Sequence, residues 1–132
     1  MINSEKVIVI DVDGTLTEDR GEFQSYSDVD VRKDVRTKLI RMKSEGYWII
    51  LFTSRNMKSY DGNIGQIMKN TAPVLIKWLS DHEVPYDEIH FGKPWCGTEG
   101  YYVDDRAIRP REFIELSHNE INALLIKDGK FT

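Results

Sequence analysis

The sequence predicts an α/β fold of three layers, a mainly parallel sheet with helices on both faces. Three observations carry this. Short apolar runs rich in β-branched and aromatic residues recur along the chain. Each ends in small polar or acidic residues. Stretches with helical periodicity lie between them. Strand–helix–strand order gives right-handed parallel crossovers, and in such sheets ligands sit beyond the carboxyl ends of the strands. The expected order puts the first strand in the middle, the second and third on one side and the fourth on the other.

The first run, residues 7–10, is too short for a helix and reads as a strand buried on both faces. It delivers Asp11 and Asp13 at its carboxyl end. Residues two apart on a strand point to one side, so both carboxylates can face one site, and Gly14 lets a ligand approach the backbone. Alone, Asp-x-Asp-Gly reads equally well as a turn. A calcium loop from Asp11 to Glu22 fails, because the position that must be Gly is Leu16.

Residues 14–30 are polar and loop-like, with room for a short turn or hairpin. Residues 31–45 follow as an amphipathic helix with Val31, Val35, Leu39 and Met42 on its packed face, Asp30 placed to cap it and Gly46 to end it. The second strand, 47–52, runs into Thr53, Ser54 and Arg55. Residues 56–70 read as a long loop, since Asp61, Gly62, Asn63 and Gly65 interrupt helical periodicity. A second helix spans 71–82, with Pro73 in its first turn and Leu75, Trp78 and Leu79 on one face. The third strand, 88–91, ends in Gly92 and Lys93. A fourth, 100–103, ends in Asp104 and Asp105, which repel unless Arg106 or a metal neutralises them. Arg109-Pro110-Arg111 reads as a basic turn. Ser117 and Glu120 form a capping box before a last helix faced by Ile121, Leu124 and Leu125, and the tail, 128–132, is expected to be loose.

The 132 residues fit one domain, 1–132. A net charge of −4 argues against nucleic acid as a main partner, and an anionic ligand needs cations concentrated locally. The single Cys96 excludes an internal disulfide and a multi-cysteine zinc site. No signal-peptide pattern or transmembrane-length apolar run occurs, so a cytoplasmic location without membrane insertion is the expectation.

Four strand ends thus present Asp11 and Asp13, Thr53, Lys93, and Asp104 and Asp105. Carboxylates and a hydroxyl suit Mg²⁺, which takes few protein ligands and keeps waters and substrate phosphate. A lysine adds positive charge. Such a set fits a phosphoryl group, whose transfer depends on positioning and charge neutralisation.

In this arrangement the chain resembles the haloacid dehalogenase superfamily of phosphatases over nearly its whole length. The first motif matches Asp11-Val12-Asp13-Gly14-Thr15-Leu16, the second Thr53, the third Lys93 and the fourth Asp104-Asp105. More narrowly, residues 53–57, 60–63, 84–88 and 92–97 resemble a small branch associated with bacterial capsule polysaccharide biosynthesis. The resemblance implies a Rossmann-like sheet and Asp11 as the nucleophile that forms an aspartyl-phosphate. It implies Asp13 as the acid that protonates the leaving oxygen and then activates water, Thr53 as a hydrogen-bond partner of the phosphoryl group and Lys93 as its neutralising charge. Mg²⁺ would be held by Asp11, the Asp13 carbonyl and Asp104, with Asp105 binding directly or through water. The backbone N–H groups of Val12 and Gly14 are further candidate phosphate contacts.

Relatives in this superfamily often carry an inserted cap domain. Residues 14–30 and 54–90 leave no room for one, so a capless enzyme is expected. Its site would be open, closed by a neighbouring subunit in a dimer or tetramer, or covered by the 56–70 loop. Ser54, Arg55, Asn56 and Trp95 are candidate substrate contacts, with Lys58, Tyr60 and Asn63 beside them, and a purely structural role is equally open for Arg55, Asn56, Lys58, Tyr60, Asn63 and Trp95. The expected substrate is a small-molecule or glycan phosphomonoester, a phosphorylated sugar or polyol of surface-polysaccharide synthesis. The alternatives are a polynucleotide-end phosphatase and a non-catalytic phosphate-binding or regulatory module. The acidic balance opposes the first. Asp13 opposes the second, since a pure phosphoryl acceptor needs no proton donor.

Overall fold

The computed structural model of the chain describes residues 5–21 and 24–127. Glu22 and the tail 128–132 lie outside the described residues. The chain divides into two compact units, Met1–Trp95 and Cys96–Thr132.

The first unit carries the sheet. Strands β1 (Val7–Asp11), β2 (Trp48–Thr53) and β3 (Glu88–Phe91) are parallel, in the order β1-β2-β3. Parallel pairing needs crossovers. Helix α1 (Lys33–Ser44) joins β1 to β2, and α2 (Ile64–Asn70) with α3 (Ala72–Asp81) joins β2 to β3. Asp11 pairs with Phe52 and Thr53 with Phe91, so the three carboxyl ends finish level. Among the described residues β1 is therefore an edge strand rather than the middle one.

Burial alternates along β2. Ile49, Leu51 and Thr53 are fully buried, and Trp48, Ile50 and Phe52 are half-buried. The same alternation leaves Val9 of β1 59% exposed, which corrects the expectation of burial on both faces. A period of two means one well-covered face per strand.

The predicted stripe is buried throughout: Val31, Val35, Leu39 and Met42. Burying each side chain contributes about 1.5–3 kcal/mol. The helix nevertheless begins at Lys33 with Arg32 as cap residue, not Asp30. The backbone of Asp30 is already used: its carbonyl accepts from Glu18 N–H (2.8 Å), and Arg32 N–H donates to Leu16 (2.8 Å), around a Thr17–Val31 bridge. Gly46, at φ +92°, ends α1 as expected. Tyr47 N–H reaches the Met42 carbonyl and Gly46 N–H that of Lys43, the paired bonds of a left-handed helix stop. A single turn of 3₁₀ helix, Tyr26–Asp28, is the only helix among the described residues of the 14–30 stretch. Trp78 of α3 donates its indole N–H to the Val29 carbonyl at 2.8 Å and ties that stretch to the helix.

Helix α2 corrects the reading of 56–70 as loop throughout. Its start is fixed by Asn63, whose side-chain oxygen accepts from Gln66 N–H at 3.1 Å. The turns before it place Asn56 and Asp61 at positive φ.

The second unit contains α4 (Pro110–Glu115) and α5 (His118–Lys127). Residues 100–103 form no strand, with Tyr101 81% and Val103 88% exposed. A strand needs a neighbouring strand to pair with, and among the described residues the sheet consists of β1, β2 and β3 alone. The expected basic turn instead opens α4: Pro110 takes a first-turn position, and Arg109 N–H donates to Glu112 Oε1 at 2.8 Å. The Ser117–Glu120 capping box is present, with bonds of 2.9 and 3.2 Å in the two directions. Phe113 and Leu125 are buried. Among the described residues no helix is long and apolar enough to cross a membrane.

Candidate active site

The site grows from the turn after β1. The Val12 carbonyl collects three N–H groups, from Thr15 (3.2 Å), Leu16 (2.9 Å) and Thr17 (3.0 Å). So tight a reversal needs a left-handed residue, and Gly14 supplies it at φ +81°. Gly14 N–H donates to Thr17 Oγ1 at 3.1 Å. It is therefore engaged within the turn.

Asp11 ends β1 half-buried. Its Oδ2 accepts from Thr15 Oγ1 at 3.1 Å, and its Oδ1 lies 3.5 Å from Lys93 Nζ. The lysine reaches it because β3 ends level with β1. Gly92 turns the chain at φ +88°, and Lys93 N–H donates to the Thr53 carbonyl at 3.1 Å, prolonging the β2–β3 pairing. The Lys93 side chain is 19% exposed and that of Asp11 33%, so the ion pair is neither sealed nor freely solvated.

Asp13 is held differently. Arg55 grips its carboxylate with two nitrogens: Nη2 to Oδ1 at 2.7 Å, and Nε at 3.2 Å to both oxygens. The Arg55 side chain is 1% exposed and that of Asp13 36%. The Tyr26 ring covers the guanidinium, its centroid 4.2 Å from Cζ. Thr53 fixes the base of this arrangement. Its buried Oγ1 accepts from Arg55 N–H at 3.0 Å and stands 3.5 Å from Asp13 Oδ2. An open cleft of about 210 Å³ borders Asp13, lined also by Gly14, Thr17, Asp19, Arg20 and Tyr26.

Asp11, Asp13, Thr53 and Lys93 are thus brought together at one sheet edge, as the sequence predicts. The candidate substrate contacts fare differently. Arg55 is buried against Asp13. Asn56 is half-buried and accepts from Thr71 Oγ1 at 2.7 Å, clamping the segment to the start of α3. Asn63 caps α2. Ser54 and Tyr60 are half-buried. Trp95 is 43% exposed, with Lys58 Nζ 5.3 Å from its ring centroid. Asp104 and Asp105 lie in the second unit, exposed, where Asp104 Oδ1 accepts from Arg106 N–H at 2.8 Å. No local pattern announces the Arg55–Asp13 pair, since 42 residues separate its members.

Among the described residues no group of three or more His, Cys, Asp or Glu converges on a metal-binding point. The first unit offers the part-exposed Asp11 carboxylate and, two residues on, the Asp13 carbonyl, which accepts none of the described backbone bonds. Hard oxygen donors this few fit Mg²⁺, which completes its shell with water and substrate phosphate.

A crystal structure of an MCSG target from Vibrio cholerae is similar to this chain at a TM-score of 0.89 and 45% sequence identity, covering 93% of this chain and 98% of that one. No family model matches the chain, and no curated protein does. The chain belongs to the same family as that Vibrio cholerae protein.

Proposed function

We propose that the protein is a haloacid dehalogenase-type, Mg²⁺-dependent phosphomonoesterase that works through an aspartyl-phosphate on Asp11. Its proposed substrate is a phosphorylated sugar or polyol of surface-polysaccharide synthesis. The observation that carries the reading is the sheet edge itself. A part-exposed carboxylate, Asp11, has a fixed ammonium 3.5 Å away and a second carboxylate two residues on.

The chemistry follows from those groups. The Asp11 carboxylate attacks phosphorus as the bond from phosphorus to the leaving oxygen breaks. The proton on Asp13 passes to that oxygen, which departs as an alcohol. Water then attacks the phosphoryl group, gives its proton back to Asp13 and displaces Asp11, releasing inorganic phosphate. Lys93 neutralises the nucleophile and the transferring group. Mg²⁺, held by the Asp11 side chain and the Asp13 carbonyl, supplies the remaining charge neutralisation when bound.

The test is phosphate release from a panel of hexose, heptose and polyol phosphates, nucleotides and a 3′-phosphorylated oligonucleotide, with Mg²⁺ and with EDTA. Turnover that needs Mg²⁺ and disappears in Asp11→Asn supports the reading. Preference for the oligonucleotide replaces the sugar substrate with a nucleic-acid end. Silence across the panel, together with failure of beryllium fluoride and Mg²⁺ to stabilise the folded protein, removes the catalytic reading.

A further inference from the structure

We infer that Arg55 is a positioning residue for proton transfer, fixing the Asp13 carboxyl in one orientation rather than meeting substrate. The inference rests on the phosphatase reading for the reaction that it serves.

Burial excludes the simpler role. With its side chain 1% exposed, Arg55 has no face to offer a ligand in solution. A guanidinium so far from water needs a fixed acceptor for its N–H groups. Asp13 is the carboxylate that meets it, through Nε and Nη2. Two nitrogens on one carboxylate fix its plane as well as its place.

The clamp is itself held from two directions. Thr53 Oγ1 accepts the Arg55 backbone N–H, which fixes the start of the side chain at the end of β2. The Tyr26 ring lies over the guanidinium, 4.2 Å from ring centroid to Cζ. Asp13 keeps 36% of its side chain exposed beside Arg55 and lines the cleft. The result is an acid whose orientation is set from behind while its front stays open to a leaving group. A proton donor works only within hydrogen-bond reach of its acceptor, and small misplacements of reacting groups cost large factors in rate. Lysine cannot replace this function, because a point charge lacks the planar fork.

The test compares two substrates in wild type, Arg55→Lys and Asp13→Asn. p-Nitrophenyl phosphate releases a phenolate that needs no proton. An alkyl or sugar phosphate releases an alkoxide that does. A residue acting through the acid impairs the second substrate selectively. In Arg55→Lys the loss of kcat/KM, which reads leaving-group departure and not the later hydrolysis common to both substrates, should be greater on the alkyl phosphate than on p-nitrophenyl phosphate by at least about tenfold, in the direction of the ~10²–10⁴-fold contribution of a general acid. Equal losses on both substrates overturn the inference, because damage to the fold does not discriminate between leaving groups.

Thermal melts of Arg55→Met, Asp13→Asn and the double variant read the pairing without activity. The double variant should lose clearly less than the sum of the two single shifts. Additive shifts overturn the inference whatever the wild type hydrolyses. Wild type inactive on both substrates with Mg²⁺ present overturns the phosphatase reading and the role in catalysis with it. That outcome is distinct from an active wild type whose variant loses both substrates alike.

Discussion

Replacing Gly92 by alanine tests how the sheet edge presents Lys93. Gly92 adopts φ +88°, where an L-residue is strained by about 1–2 kcal/mol. An alanine Cβ there would stand 2.8 Å from Cδ1 of Ile64, the first residue of α2. That atom is the far end of a side chain in a residue 46% exposed. A shift off its preferred rotamer relieves the contact at about 0.5–1.5 kcal/mol. The two terms together predict a loss of about 1.5–3.5 kcal/mol. For a chain of 132 residues this lowers Tm by about 5–18 °C. The assay is thermal unfolding of wild type, Gly92→Ala, Ile64→Ala and the double variant. The double variant keeps the backbone strain and loses the clash, so Gly92→Ala should cost about 1–2 kcal/mol in the Ile64→Ala background. Turnover should fall as well, because Lys93 follows the altered residue directly. A Gly92→Ala protein that melts with wild type would refute the left-handed turn and the packing of α2 against it.

The remaining predictions concern the core, the acid limb and the chemistry. Trp78→Phe removes the indole N–H from the buried Val29 carbonyl and should cost about 1–3 kcal/mol in chemical denaturation, without changing any metal dependence. Asp87 accepts from Ile49 N–H at 2.8 Å and from Lys43 Nζ at 2.5 Å. Burial pushes its pKa up, but these donors outweigh it and hold the carboxyl below the usual 3.8. A carboxylate depressed on folding stabilises fully above its unfolded value and loses that contribution as pH falls through the lower folded value. Asp87→Ala should therefore destabilise at neutral pH and show a shallower fall below about pH 4 in urea melts. A wild-type acid limb retained in full would contradict this. Lys93→Met should lower kcat by about 10²–10³-fold on every substrate alike, since it removes charge stabilisation rather than a proton. Asp11→Asn should abolish turnover while melting close to wild type.

Most of the sheet was legible because local rules decide it. The runs at 7–10, 47–52 and 88–91 have no other way to bury their side chains, and Gly46 and Pro73 mark helix ends by their backbone chemistry. Helix α2 was missed because Gly65 and the Asp61–Asn63 turn read as breakers, although Asn63 is a good capping residue and does cap. The segment 100–103 has strand-forming composition, but a strand is a pairing and composition does not supply the partner. In the site, Asp11, Asp13, Thr53 and Lys93 followed from the rule that chemistry gathers at strand ends. For Arg55 the sequence leaves substrate contact and a structural role equally open, because its position after a strand does not decide between them. Its burial depends on Tyr26 and Asp13, which arrive from a one-turn 3₁₀ helix and from the turn after β1.

The most direct measurement is the mass of the peptide containing Asp11 after rapid acid quench during turnover of the best panel substrate. One added phosphoryl group is expected on Asp11, present with Mg²⁺ and lost on chelation. Steady phosphate release with Asp11 unmodified at every quench time and Asp11→Asn still active would contradict this.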